Sequence, residues 1–375
     1  MKITHVGAVL LTPFPWVLVK VKTDEGITGI GEAYHGAGVH HIVTDPRLTE
    51  RALIGKDPRH VDKLFHDMMY SMSASGFYQG AVMSAISGIE MALWDITGQA
   101  SGIPIWQLLG GKFRDKIRVY NDCHAGNAET PESYAEKAKA VEGRGFDAIK
   151  FDIDPQPTER DRYNRCISNH DIAYFIDVVT AIRDILEPNT DLLIDAHWKY
   201  TPVDILKVAY AFEDLNLMWL EDPVPPGNIE AMAKVTAATR TPICTGENFY
   251  TRHGFRDLIQ AQAADIISPD HAKAGGLLEG RKIADLADMY YIPVSPHNIC
   301  SPIGTMAVSH LCAAIPNFQV LEFHHLDNEV WNTLTIERNL IQNGHIDIPG
   351  KPGLGVTVDE EVARRVAKED LGYFD

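Results

Sequence analysis

Six polar residues recur along the chain at an almost constant interval. Asp195, Glu221, Glu247, Asp270, His297 and Glu322 lie 26, 26, 23, 27 and 25 residues apart, and each closes a short apolar run. Brought together in a partly dry site, the carboxylates of Asp195, Glu221 and Glu247 would repel one another. A hard divalent cation with oxygen ligands, Mg²⁺ or Mn²⁺, resolves that conflict. Taken singly, each acid reads as a salt-bridge partner or loop cap; their common register favours one shared site. Asp270 and His297 form a second pair. A carboxylate bonded to one imidazole nitrogen sets the tautomer and raises the basicity of the other, which makes a general base. In LLIDAH, Asp195 and His197 alternate with Leu193 in an extended strand, so all three are expected on one face.

Elements that could gather these residues follow from the texture between them. Eight apolar runs (IRVYND, AIKFDI, LLIDAH, LMWLED, PICTGE, DIISPD, YIPVSPH and FQVLEF) alternate with helical patterns from Ile117 onward. Thr130 and Thr201, each followed by proline, read as helix N-caps with Pro131 and Pro202 at the first helical position. Strands that alternate with helices pair in parallel through right-handed crossovers. Eight such units predict a closed α/β barrel, in which all C-terminal strand ends meet at one mouth. Before Ile117 the chain reads as a smaller α+β unit. Strands run to about Glu32, ending in a turn at DEGITGIGEA, and are followed by helices over HVDKLFHDMMYSM and AVMSAISGIEMALWDITGQASG.

With 375 residues, 45% hydrophobic and 23% charged, the chain has an ordinary globular composition and room for two units. A net charge of −17 argues against nucleic acid or an anionic membrane as partner, since both need clustered Lys and Arg. Five scattered cysteines without a CxxC pair indicate reduced thiols and a cytoplasmic setting. The N-terminal apolar run is broken by Pro13 and Pro15, so neither signal peptide nor membrane span is expected there.

Together the motifs MALWDITGQASGIPIWQLLGG, IKFD, LLIDAH, WLEDP, TGEN, SPD and SPHN, in this order and spacing, resemble the enolase superfamily and its mandelate-racemase-like subgroup. The resemblance implies a modified (β/α)7β TIM-type barrel with an N-terminal α+β capping domain. The expected division is a cap over residues 1–116, a barrel over 117–340 and a segment, 341–375, returning to the cap. It further implies Mg²⁺ held by Asp195, Glu221 and Glu247, a homo-oligomer, and abstraction of the proton α to a substrate carboxylate, chemistry for which this superfamily uses a Lys or His base. Glu322 resembles the acid that hydrogen-bonds a carboxylate oxygen of the intermediate, a role that requires it protonated in the complex; a barrel-mouth salt bridge is the other reading.

Racemases of the subgroup place a Lys-x-Lys pair on the second strand, but here the sequence is Lys150-Phe151-Asp152. The second lysine is absent, which puts a Lys/His two-base racemisation in doubt. The Asp-x-His of Asp195 and His197 instead resembles acid-sugar dehydratases, in which this histidine protonates the departing 3-hydroxyl. The resemblance thus implies a hydro-lyase acting on an aldonate or aldarate and yielding a 2-keto-3-deoxy acid. An epimerase using His197 and His297 as its two bases, or a non-catalytic binding protein, are the competing readings. Lys150 either neutralises the substrate carboxylate or balances Asp152. Substrate contacts are expected from Tyr34 and His35 in a lid loop, GEAYHGAGVHH, and from Asp152. The insertion after the second strand, with Arg160, Arg162 and Arg165, is either a recognition loop or merely solvated. Gly275 and Gly276 read as a turn, and Trp94 and Asp95 as packing between cap and barrel.

Overall fold

Gly29 and Gly31 sit where the turn DEGITGIGEA was expected, yet they belong to a strand. Residues 1–76, 78–124, 130–153 and 166–374 are described by the computed structural model; Arg160, Arg162 and Arg165 lie outside them. The first sheet is an antiparallel meander of β1 (Ile3–Leu10), β2 (Trp16–Thr23) and β3 (Thr28–His35). It packs on the 22-residue helix α1 (Gly80–Ser101). A Cβ on Gly29 would stand 2.1 Å from the carbonyl oxygen of Ala92, and one on Gly31 would stand 2.2 Å from that of Gly88. These glycines therefore let strand and helix backbones approach, and do not mark a turn. The lid loop is corrected by the same element. Tyr34 and His35 end β3, and only Gly36, at φ 93°, separates them from the helix Ala37–Val43.

The second sheet carries seven strands in parallel: β4 (Lys116–Cys123), β5 (Ala148–Asp152), β6 (Asp191–Asp195), β7 (Trp219–Glu221), β8 (Ile243–Thr245), β9 (Ile266–Ile267) and β10 (Leu321–Phe323). Their order is sequential, and β10 pairs with β4 to close the ring. The run YIPVSPH is not a strand of ordinary length. Val294 alone bridges Ile267 on one side and Phe318 on the other. Pro293 and Pro296 flank it and have no N–H for a ladder, which limits pairing to this residue. The architecture is nonetheless an α/β barrel preceded by an N-terminal α+β unit. Outside the ring, a hairpin of β11 (Ile341–Gln342) and β12 (His345–Asp347) lies antiparallel to β4.

Alternation along the strands divides the barrel interior in two. Tyr120, Ala148, Leu193, Trp219, Cys244, Ile266 and Val320 fill the lower part as a separate buried cluster. Two residues further along the same strands come Asp122, Lys150, Asp195, Glu221 and Glu322, all buried. A period of two thus puts apolar packing below and ionisable groups above on one inward face. Helices on the outside start where expected. Thr130 and Thr201 accept from the backbone N–H of Ser133 and Asp204, with Pro131 and Pro202 next in sequence. No helix among the described residues is long and apolar enough to cross a membrane.

Candidate active site

Lys150 is the centre of the mouth. Only 1% exposed, it places Nζ 2.9 Å from Glu322, 3.0 Å from Glu221, 3.4 Å from Asp195 and 3.5 Å from Asp122. Burial works against its charge, but the surrounding carboxylates outweigh it and hold the ammonium protonated well above the usual lysine range. Asp152 is not among these ion partners. It faces histidines instead, His197 Nδ1 at 3.7 Å and His124 Nδ1 at 3.8 Å.

His297 stands on the opposite flank. Its Nδ1 is 2.8 Å from Asp270 Oδ2, its Nε2 is 3.0 Å from Glu247 and 3.8 Å from Glu322. Burial lowers the imidazole pKa, yet Glu247 and Glu322 reverse this and raise it well above the ordinary value. Burial likewise pushes Glu247 up, but His297 overcomes it and holds the carboxyl at about 2. For Glu322, Lys150 and His297 outweigh burial and keep it well below the normal carboxylate range. These neighbours favour ionised Glu322, whereas the role expected from sequence needs it protonated in the complex.

Strand β6 ends at Asp195, so His197 does not continue its alternation. His197 (φ 46°) and Trp198 (φ 55°) adopt left-handed backbone, an uncommon choice for residues with a Cβ. His197 N donates to Asp195 Oδ1 at 2.8 Å, and its ring nevertheless folds back to put Nε2 3.7 Å from Asp195 Oδ2. The ring faces the mouth by a turn, not by the pleat.

Asp222 escaped sequence reasoning because alternation aims it away from Glu221. A left-handed backbone at φ 42° turns it back toward the site. There it accepts from Trp198 Nε1 at 2.5 Å and from Thr245 Oγ1. Burial and the adjacent acids, Glu247 first, raise its pKa well above normal. Asp122 and Lys273 were also missed. Lys273 is buried, and its Nζ sits 4.4 Å from the centroid of the Tyr34 ring. Burial, reinforced by nearby Asp270 and Glu247, raises the Tyr34 hydroxyl pKa. His35 stacks on Tyr34 at 3.9 Å, and burial lowers it to about 4.

The acids meet the chemical demands of a hard cation. Glu221, Asp222 and Glu247 present oxygens within 4.8 Å of one another, all buried, and Asp152, Asp195 and His197 form an adjoining set with ligand atoms equally close. Glu221 Oε1 is fully buried without a hydrogen-bond partner. An unpartnered carboxylate oxygen in such a place needs a cation or a proton. Burial, with Asp195 and Glu322 adding to it against Lys150, lifts Glu221 to about 7. Beside the acids opens a cavity of about 590 Å³ whose lining includes Asp122, His124, His324 and, from the capping unit, Pro13.

A barrel with acids and a carboxylate–imidazole pair at its strand ends, closed by an α+β cap, defines a class that direct comparison identifies. Residues 6–110 match the mandelate racemase / muconate lactonizing enzyme N-terminal domain, and residues 133–362 match the enolase C-terminal domain-like family. The chain belongs to the mandelate racemase / muconate lactonizing enzyme family of the enolase superfamily. It is 46% identical over 367 residues to the D-xylonate dehydratase of Haloferax volcanii, covering 96% of this chain and 88% of that one. The D-gluconate dehydratase of Thermoproteus tenax is 30% identical over 94% of this chain and 70% of its own length. Among solved structures, a mandelate racemase/muconate lactonizing enzyme-like protein from Rubrobacter xylanophilus superposes with a TM-score of 0.95 at 40% identity, covering 100% of this chain and 99% of that one.

Proposed function

We propose that the protein is a Mg²⁺-dependent dehydratase of an aldonic acid. The observation that carries the reading is the placement of two histidines on opposite flanks of one acidic cluster, His297 with Asp270 and Glu247, His197 with Asp195 and Asp152. The names of the relatives, D-xylonate and D-gluconate dehydratase, support an aldonate of five or six carbons.

Asp195, Glu221 and Glu247 would hold the cation, with Asp222 beside them. When bound, it supplies electrostatic stabilisation of the charge that builds on the substrate carboxylate as the α-proton leaves. Glu247, 3.0 Å from His297 Nε2, would be the ligand that borders both the cation and the base. His297 Nε2 then accepts the C2 proton, while Asp270 holds Nδ1 and thereby the tautomer. A base so placed contributes about 10²–10⁴-fold. Lys150 binds the substrate carboxylate, and Glu322 joins it only on taking up a proton that is then shared between the two carboxylates. His197 gives a proton to the 3-hydroxyl as the C3–O bond breaks, releasing water. The resulting enol gains a proton at C3, loses the one on its C2 hydroxyl and becomes the 2-keto-3-deoxy acid.

Proton NMR in D₂O with Mg²⁺ and a panel of five- and six-carbon aldonic acids tests this. New 3-deoxy signals with loss of the α-proton are expected. Exchange at C2 with every hydroxyl retained and the C2 epimer formed would instead establish an epimerase.

A further inference from the structure

Two buried carboxylates of the capping unit end on helices of the barrel. Glu32, on β3 and 0% exposed, accepts the backbone N–H groups of Ser301 and Gly304, each at 2.9 Å, and the Ser301 hydroxyl. Those groups form the start of α3 (Pro302–Ala314), which opens five residues after His297. Glu90, on α1, accepts the N–H groups of Leu277 at 2.8 Å and Leu278 at 3.0 Å. They belong to the first turn of α2 (Gly276–Asp288), six residues after Asp270, a helix with no side-chain cap of its own. A helix N-terminus leaves N–H groups unpaired and carries partial positive charge, so a carboxylate satisfies both needs.

The glycines at these places record the fit. A Cβ on Gly276 would lie 2.1 Å from Glu90 Oε2, and one on Gly304 would lie 2.8 Å from Glu32 Oε2. Gly275, at φ 121°, closes a turn as expected, and Gly276, the first residue of α2, is the landing site of Glu90; Gly275 N donates to Ser87 of the same cap helix at 2.9 Å.

From each helix start a short chain of hydrogen bonds leads to the dyad. Ala274 N bonds the carbonyl of Asp270 at 2.7 Å, and Gly276 N bonds that of His271 at 3.1 Å. On the other side Thr305 Oγ1, one residue past Gly304, accepts from Asn298 Nδ2 at 3.0 Å. Asn298 follows His297 directly and donates its own N–H to Glu322 Oε2 at 2.9 Å. We infer that Glu32 and Glu90 are positioning residues. By capping α3 and α2 from the capping unit, they hold the strand ends of His297 and Asp270 in mutual register. The inference rests on the reading of Asp270 and His297 as the proton-abstracting pair.

Asp95 provides a matched control. It is a buried carboxylate of the same helix α1, and it accepts from Ile30 N at 3.0 Å and Leu354 N at 2.9 Å, neither of which leads to the dyad. The experiment measures kcat and KM for aldonate turnover and the rate of α-proton exchange into D₂O, on Mg²⁺-loaded protein, alongside thermal unfolding. In Glu32→Ala and Glu90→Ala, kcat and exchange should fall by about 30- to 100-fold with KM within about threefold, since a displacement near 1 Å costs about 10²-fold. Glu32→Gln and Glu90→Gln keep one acceptor oxygen and should recover most of the rate; they also serve if the alanine variants do not fold. Asp95→Ala should unfold at lower temperature with kcat within about threefold of wild type.

Turnover that stays within threefold in folded Glu32→Ala and Glu90→Ala overturns the inference, as does an equal loss of kcat in Asp95→Ala, which would make the effect general loosening. Undiminished exchange in His297→Asn would remove the dyad reading itself, and the positioning role with it.

Discussion

Replacing Lys150 by Met tests whether one ammonium keeps the acids of the mouth together. The side chain is almost isosteric and wholly enclosed, so the change deletes charge with little change in packing. Four carboxylates, Asp122, Asp195, Glu221 and Glu322, lie within 3.5 Å of Nζ and would lose their common cation. Breaking a buried ion network by removing one partner destabilises by about 3–5 kcal/mol. The loss should be measured by urea unfolding at pH 7.5 in EDTA, and it should shrink toward pH 5, where the orphaned carboxylates take up protons. Mg²⁺ binding, followed by calorimetry, should tighten at least about tenfold, or about 1.4 kcal/mol, because Asp195 and Glu221 no longer share their charge with the ammonium. At Mg²⁺ concentrations 100 times Kd the added stability should approach about 2.7 kcal/mol. A variant that unfolds within 1 kcal/mol of wild type in EDTA, or that binds Mg²⁺ more weakly, would refute the view that Lys150 holds the place of a cation among these acids.

Substitution of His297 by Asn should abolish both dehydration and α-proton exchange, a loss of about 10²–10⁴-fold or more read by NMR in D₂O. His197→Asn should separate the two, with dehydration falling by a similar factor while exchange at C2 continues; parallel loss would assign His197 to proton abstraction or binding. Burial pushes Glu32 and Glu90 each to about 7 from 4.5. Such carboxyls bind protons more tightly folded than unfolded, so their stability contribution is full below about pH 4.5 and is lost as pH rises through about 7. Each is worth at most roughly 3 kcal/mol at 1.36 kcal/mol per pH unit. Urea unfolding of the metal-free protein should show this decline, and Glu32→Gln should flatten its share; an unchanged profile in the variant would show that Glu32 titrates normally.

Several features were legible because they depend on local order alone. The near-constant interval between Asp195 and Glu322 reports one strand and one helix per unit, and a closed parallel barrel must bring such strand ends to one mouth. Thr130-Pro131 and Thr201-Pro202 mark helix starts through backbone bonds that span three residues. Other features misled for equally local reasons. Glycine is common both in turns and where two backbones meet closely, and nothing within GITGIGEAYHG tells which applies. Only the contact of Gly29 and Gly31 with α1 decides it. YIPVSPH has the apolar content of a strand, but its two prolines lack the N–H a ladder needs, and the bridges to both neighbours centre on Val294 alone.

What the sequence by itself determined is the kind of barrel, the inward alternation that sets apolar residues below ionisable ones, and which side chains stand at strand ends. These follow from periods of 2 and 3.6 and from chain connectivity, all written in residue order. Tertiary structure alone decided the partners. Lys150 is surrounded by four acids from four different strands, Asp222 is turned into the site by its own left-handed backbone, and Glu32 and Glu90 reach helices that begin 270 and 186 positions later. Pairing between charged groups depends on separation in space and on the water excluded around them. Neither quantity has a period along the chain.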